Sequence, residues 1–229
     1  MSEYDVIVVG GGNAAFCAAL AAREKGASVL VLEAAPQDEA GGNSAFTAGA
    51  MRVVYNGVED IKALVPDLSD DEIAITDFGT YTQDQFFDDM ARVTQYRTDP
   101  DLCELLVTRS LSTLLWMREK GIRFVPIYGR QAFKVDGKFK FWGGLTVETV
   151  GGGPGLVEML TTSAKKHDVE IRYETRATDL LCEGNKVIGV RIRQGNEIAE
   201  IKGKSVVLAS GGFEANTEWR TRYLGPGWD

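Results

Sequence analysis

The stretch from Tyr4 to Glu33, YDVIVVGGGNAAFCAALAAREKGASVLVLE, decides the fold. Its hydrophobic period runs from a continuous β pattern at Tyr4 to Val9, through a helix face at about Asn13 to Lys25, and back to a β pattern that Glu33 ends. That succession is a βαβ unit. Between the first strand and the helix, Gly10, Gly12 and Ala15 fit the G-x-G-x-x-G/A spacing. Each has its own physical role. Gly10 allows the tight turn, Gly12 lets backbone approach a pyrophosphate without a Cβ in the way, and Ala15 lets the helix pack closely on the strand. Phosphates then rest on the helix N-terminus, beside Asn13 and Ala14, where N–H groups and the helix dipole favour negative charge. Glu33, with Ala34 after it, stands where a carboxylate takes the adenosine ribose hydroxyls and repels a 2′-phosphate. A Gly-rich βα turn alone is a weak signal, but here strand, helix and acid fall in register, so a bound dinucleotide is expected. The motif by itself does not separate NAD from FAD.

Composition narrows the class. Apolar residues make up 44% of the 229, which suffices for a real core in one large domain or two small ones. A net charge of −8 without a basic run opposes binding to nucleic acid or to an anionic membrane. No apolar run approaches the roughly 18 residues that span a bilayer, and the N-terminus carries no secretory pattern, so a cytoplasmic protein is expected. Cys17, Cys103 and Cys182 are odd in number and widely spaced, which suggests neither a disulfide framework nor a metal site; buried structural thiols are the expectation.

The segment after Glu33, APQDEAGGNSAFTAGAMR, is too long for an ordinary βα loop. Gly41 and Gly42 permit close backbone approach, and Asn43, Ser44 and Thr47 offer short side chains able to bond a phosphate or a flavin edge. A mobile surface loop is the alternative. Residues 58 to 121 read as helices: Ile61 to Leu64, a segment capped by Ser69, Gln83 to Thr94, and Pro100 to Lys120 with Asp99 as N-cap and Gly121 just past the end. In the last of these, Leu102, Leu105, Leu106, Leu111, Leu114 and Leu115 recur at helical spacing and are expected to face the core.

Further on, Phe124 to Ile127 reads as a strand and Ala132 to Phe141 as a hairpin turning at Asp136-Gly137. Gly151 to Gly155 precede a helix expected over about Leu156 to Lys166, offering either an N-terminus to an anionic group or a plain turn. His167, the one histidine, falls at that helix's C-terminal end and reads as a surface residue that complements the dipole. Val169 to Tyr173 resembles a parallel strand. Ala177 to Glu183, Lys186 to Arg193 and Glu197 to Lys202 alternate as a three-stranded antiparallel meander. Ser205 to Ala209 reads as a separate buried strand whose end, Ser210-Gly211-Gly212, approaches a ligand, and a helix opens near Asn216.

The βαβ unit, the Gly-Gly-Asn-Ser loop at 41–44, the meander and the ASGGF strand end at 209–213, in that order, resemble the flavoprotein subunit family of fumarate reductase and succinate dehydrogenase. The wording GGNAAFCAALAAREKGASVLVLEAAP, GGNS and ASGGFEANTEW is most similar to its tricarballylate dehydrogenase branch. The resemblance implies a Rossmann-like α/β FAD-binding fold with a parallel sheet, the meander and a helical insertion at about 58–121. Carried over by motif, it implies that Gly10 to Ala15 hold the pyrophosphate and Glu33 the ribose. Gly41 to Ser44 with Thr47, Ala48 and Gly49 would serve the pyrophosphate and flavin side, Ala177 the adenine through its backbone, and Ala209, Ser210, Gly211 and Gly212 a cofactor-facing strand end. Gly152 and Gly153 would lie near the isoalloxazine.

Some members attach FAD through a histidine in the loop after the second strand; this loop has none, which implies non-covalent FAD. The implied activity is oxidation or reduction at a CH–CH group of a small polycarboxylate such as tricarballylate, succinate or fumarate, with an electron acceptor that the residues do not identify. Relatives acting on aspartate or a 3-ketosteroid, and a dinucleotide-binding module without activity of its own, are the alternatives. The family's capping domain, with its substrate-binding His and Arg residues, has no counterpart in residues 1–229. These residues are therefore expected to be the N-terminal portion of the domain and silent alone. Arg130 and Glu148, flanking the Gly-rich turn, are the first groups to examine for proton transfer if they are not.

Overall fold

The computed structural model describes residues 4–228. The chain runs β1 (Tyr4–Val9), α1 (Asn13–Glu24), β2 (Val29–Leu32), β3 (Ala50–Met51), α2 (Val58–Leu64), α3 (Asp70–Ala74), α4 (Gln83–Thr94) and α5 (Pro100–Glu119). It continues through β4 (Phe124–Pro126), α6 (Tyr128–Gln131), β5 (Ala132–Val135), β6 (Lys138–Phe141), β7 (Val147–Thr149), α7 (Gly152–Lys166) and β8 (Glu170–Arg172). The last elements are β9 (Thr175–Glu183), β10 (Lys186–Gln194), β11 (Glu197–Leu208) and α8 (Thr217–Leu224). These fall into two compact units: residues 4–43 with 164–228, and residues 44–163.

The first unit is built on a six-stranded sheet in the order β8-β2-β1-β11-β10-β9. β8, β2, β1 and the second half of β11 are parallel, while β11, β10 and β9 are antiparallel neighbours. The continuous apolar run of β1 and β2 follows from burial on both faces. Ile7, Leu30 and Leu32 join Val190, Ile192 and Ile201 in one core cluster, while Val8, Val29 and Val31 are buried on the other side of the pleat. α1 packs against β1 and β2 through Ala15, Phe16, Ala19 and Leu20.

The meander and the following strand are not separate. β11 is one strand of 12 residues that pairs antiparallel with β10 as far as Lys202 and parallel with β1 from Gly203 onward. The change of pattern near residue 203 is therefore a change of neighbour and not a loop. Nor is its second half buried: it has a partner on one side only there, and Leu208 is 64% exposed. Cys182, on β9 at the sheet edge, is exposed, contrary to the expectation of a buried thiol; Cys103 is buried and Cys17 half-buried.

The second unit holds the helices of residues 58–119, a three-stranded sheet in the order β3-β7-β4, and the β5-β6 hairpin. The helix starts are set by side chains. Ser69 and Thr82 form capping boxes with Glu72 and Gln85, and Asp99 accepts from Leu102 N ahead of Pro100. α5 ends where Gly121 N bonds to Arg118 O and Ile122 N to Met117 O, with Ile122 and Met117 both buried.

The leucine stripe of α5 faces the core only in its C-terminal part, where Leu114 is buried and Leu111 and Leu115 are half-buried. Its buried positions are Cys103, Val107, Ser110, Leu114 and Met117, whereas Leu102, Leu105 and Leu106 are exposed. The core side tolerates Ser110 because its hydroxyl accepts from Val54 N at 3.0 Å and donates to Val107 O at 3.0 Å. Asp99→Ala should remove the cap and destabilise this unit by about 1 kcal/mol, which a thermal melt reads as a Tm about 2–4 °C lower.

α7 begins at Gly152, ahead of its expected start at Leu156, and takes in Gly153, Pro154 and Gly155. Pro154 fits because a first-turn N–H has no helical partner to lose. The short strand β7 gives no clear signal in sequence because it lies between two Gly-rich stretches. Among the described residues no helix is long and apolar enough to cross a membrane.

Candidate functional site

In the first unit, register assembles the site. Val9 pairs with both Leu32 and Leu208, so β1, β2 and β11 end level. The next residues, Gly10, Glu33 and Ala209, therefore share the carboxyl edge of the parallel strands, where open α/β sheets bind ligands. The ladder continues one residue beyond them: Gly10 N bonds to Leu32 O and Ala209 N to Val9 O, each at 2.8 Å, and Glu33 N to Arg172 O at 2.9 Å. Gly10 is required by the chain itself. Its φ is +114°, and a Cβ there would meet Ala209 O at 2.3 Å.

Gly12 differs. It is the N-cap of α1 in extended conformation, φ −91° and ψ −170°, which other residues adopt freely. It receives no side-chain cap, and no acid stands in the first turn. Ser69, Thr82, Asp99 and Asn216 cap α3, α4, α5 and α8 with their side chains. The α1 end, with Asn13 and Ala14 in its first turn and Ala15 fully buried against the strands, has the form of a phosphate cradle.

Glu33 Oε1 accepts from Ala35 N at 2.8 Å, which turns the carboxylate back over the strand ends. Oε2 lies 2.5 Å from where a Cβ on Gly11 would sit, so a side chain there would push the Glu33 carboxylate out of this position. Motif spacing does not single out Gly11, because the contact that constrains it is long-range. Asn43 Nδ2 donates to Glu214 Oε2 at 2.6 Å, tying the Gly41-Gly42 loop to the segment that follows Ala209, Ser210, Gly211 and Gly212. Glu214 is a second residue that motif spacing alone does not reveal. Ala177, on β9, pairs with Ile192 beside a register irregularity.

The second unit brings together the other site residues. Thr47 Oγ1 donates to Ser44 O at 3.0 Å and accepts from Gly49 N at 3.1 Å, while Gly153 N donates to Thr47 O at 3.0 Å. Thr149 N donates to Gly49 O at 2.9 Å, and its hydroxyl donates to Gly152 O at 2.8 Å. The loop from Ser44 through Thr47 and Ala48 to Gly49 is thus knitted to the start of α7. A Cβ on Gly153 would lie 2.3 Å from Ser44 O, so that glycine serves this close packing. Thr47, Ala48 and Gly152 also line a cavity of about 440 Å³ together with Val125, Arg130 and Glu148. His167 belongs to the first unit, where its carbonyl accepts from Arg23 Nε at 2.8 Å. Among the described residues no group of acids, histidines or cysteines could hold a metal ion.

A parallel sheet with level strand ends, an uncapped helix N-terminus behind a glycine turn, and an acid ending the second strand define a dinucleotide-binding α/β domain. Residues 5–227 match the family described as FAD binding domain, and the chain belongs to that family. It is 26% identical to the NADH:fumarate oxidoreductase of Klebsiella pneumoniae (strain 342), over 96% of this chain and 22% of that protein. It is 29% identical to the NADH:acrylate oxidoreductase of Vibrio harveyi, over 96% of this chain and 25% of that protein. The open conformation of a flavocytochrome c3 fumarate reductase superposes with a TM-score of 0.73 at 26% identity, covering 96% of this chain and 36% of that one. The chain spans about a quarter of the length of these curated relatives. FAD is therefore the dinucleotide.

Proposed function

We propose that the chain is the FAD-binding portion of an oxidoreductase that acts on a CH–CH group of a small polycarboxylate such as tricarballylate, succinate or fumarate. The carrying observation is the level ending of β1, β2 and β11, which sets Gly10, Glu33 and Ala209 on one edge beside the uncapped start of α1. In this reading Gly12, Asn13, Ala14 and Ala15 receive the pyrophosphate and Glu33 the ribose hydroxyls. Gly41, Gly42 and Asn43 lie along the pyrophosphate, Ala177 offers backbone to the adenine, and Ala209 to Gly212 border the cofactor. Ser44, Thr47, Ala48, Gly49, Gly152 and Gly153 take the flavin-side role. When bound, FAD supplies the two-electron redox chemistry, and the protein's part is to hold, orient and shield.

Two observations support a non-covalent cofactor: the loop after β2 lacks histidine, and the one histidine of the chain lies just past the C-terminal end of α7. Names of relatives that act on fumarate and acrylate support a small unsaturated or saturated acid as substrate. Glu33→Ala should weaken FAD binding about tenfold or more, since charge-assisted hydrogen bonds contribute roughly 1.5–3 kcal/mol each. Fluorescence titration reads the change, and an affinity equal to that of the native protein would assign Glu33 a purely structural role at the Ala35 turn.

A second reading is that residues 1–229 bind FAD and catalyse nothing alone. It is favoured by the engagement of three arginines, Arg52 by Tyr81 and Asp89, Arg23 by His167 O and Ala27 O, and Arg172 by Glu170 and Tyr4, which leaves Arg130 as the one arginine lining the cavity of the second unit. Hydride transfer at a carboxylic acid needs several such donors and a site shielded from water. Anaerobic mixing of the FAD-loaded protein with tricarballylate or succinate separates the readings. Bleaching of the visible flavin band supports an active chain; an unchanged band supports silence.

A further inference from the structure

A second cavity, of about 510 Å³, lies between α4 and α5 in the second unit and shares no residue with the site described above. Two rows of side chains form its walls. Gln83, Phe87 and Ala91 recur four residues apart on α4, and Pro100, Glu104 and Thr108 do the same on α5, so each helix turns one ridge to the space. Ala91 and the buried Cys103 contribute small side chains, and the ridges leave the space open.

Tyr96 is brought into the lining by an unusual turn. α4 stops not on glycine but on two successive larger residues in the left-handed region, Gln95 at φ +52° and Tyr96 at φ +59°. Such positions favour glycine, and each larger residue there costs free energy that the surrounding structure must offset. Tyr96 N donates to Ala91 O at 2.9 Å and Arg97 N to Thr94 O at 3.1 Å, which fixes the turn. Tyr96 is thereby held at the cavity while 86% exposed, with most of its surface unused by the protein.

The polar groups of the lining have one character. Thr108 spends its hydroxyl on Glu104 O at 2.7 Å, and no Lys, Arg or His belongs to the lining. Glu104 is the one ionised group there, and neither its carboxylate nor the Gln83 amide bonds to any described residue. A carboxylate without a countercharge, together with the rings of Phe87 and Tyr96, suits a ligand that is both cationic and flat.

We propose that this cavity binds an organic ammonium ion carried on an aromatic body. Glu104 accepts from the ammonium N–H groups, Tyr96 offers its ring to the charge, and Phe87 with Tyr96 takes the aromatic body. The fixed turn at Gln95 and Tyr96 pre-orders one wall of the site, which lowers the ordering cost of binding. The inference is independent of the small-acid reading above, whose substrate carries the opposite charge.

Phenethylamine, phenethyl alcohol and propylamine separate the parts of the site, because the alcohol keeps the ring without the charge and propylamine the charge without the ring. Isothermal titration into residues 1–229 should give phenethylamine a Kd about tenfold lower than either, the combined effect of a partly exposed ion pair and a cation–π contact. Glu104→Gln should erase the preference over the alcohol. Glu183→Gln, which removes the same charge from an exposed position on β9, should leave that preference intact. Tyr96→Ala should weaken phenethylamine about fivefold and Tyr96→Phe should retain it, with thermal melts confirming that all variants fold. Alcohol binding as tightly as the amine, equal losses in the Glu104→Gln and Glu183→Gln variants, or no saturable amine binding would overturn the proposal. FAD titration of the same variants reports the cofactor assignment separately, so either reading can fail without the other.

Discussion

Gly12→Val is expected to abolish FAD binding while leaving the protein folded. At φ −91° and ψ −170° the Gly12 backbone suits any L residue, and valine favours the extended region. The helix keeps its first bond, from Phe16 N to Gly12 O at 3.1 Å, because that bond uses only backbone. What changes is the space in front of the α1 N-terminus, where a branched side chain would stand in place of the phosphates. An affinity loss of at least 100-fold, about 2.7 kcal/mol, is expected, with a native circular dichroism spectrum. Retained FAD binding by the folded variant would move the pyrophosphate elsewhere.

Gly10→Val should do the opposite and act on the fold. With φ at +114° and Ala209 O 2.3 Å from the position of a Cβ, valine must both strain its backbone and force β1 and β11 apart. Strained backbone contributes of order 1–3 kcal/mol and overpacking a similar amount, so a loss of about 3–5 kcal/mol is expected. In a chain of this size that corresponds to a Tm lower by about 10 °C. A melt within a degree or two of the native protein would show that the strand ends part easily. If both variants behave as expected, two glycines two residues apart divide the work: Gly10 would serve the protein and Gly12 the ligand.

The parts legible in the sequence are those coded locally. The βαβ unit, the four helices between residues 58 and 119, their caps at Ser69 and Asp99, and the Asp136-Gly137 hairpin depend on contacts within a few residues. The face of α5 is not legible, because whether Leu102 or Ser110 turns inward depends on Val54, which lies 56 positions from Ser110. The unity of β11 is hidden for a related reason. A strand that exchanges an antiparallel neighbour for a parallel one changes its burial pattern midway and reads as two. In the candidate site, the glycine spacing announces Gly10, Gly12 and Ala15, whereas Gly11 against Glu33 and Asn43 against Glu214 arise only when strand ends meet. Arg130 and Glu148 stand out in sequence merely as neighbours of a Gly-rich turn; the cavity joins them.

The central claim, that this chain holds FAD at the strand ends of its first unit, is tested most directly by titrating FAD into residues 1–229 and following quenching of flavin fluorescence. Saturable one-to-one binding that the Gly12→Val variant lacks and that NAD does not displace is the expected result. No saturable quenching, or equal binding by native and Gly12→Val protein, would contradict it.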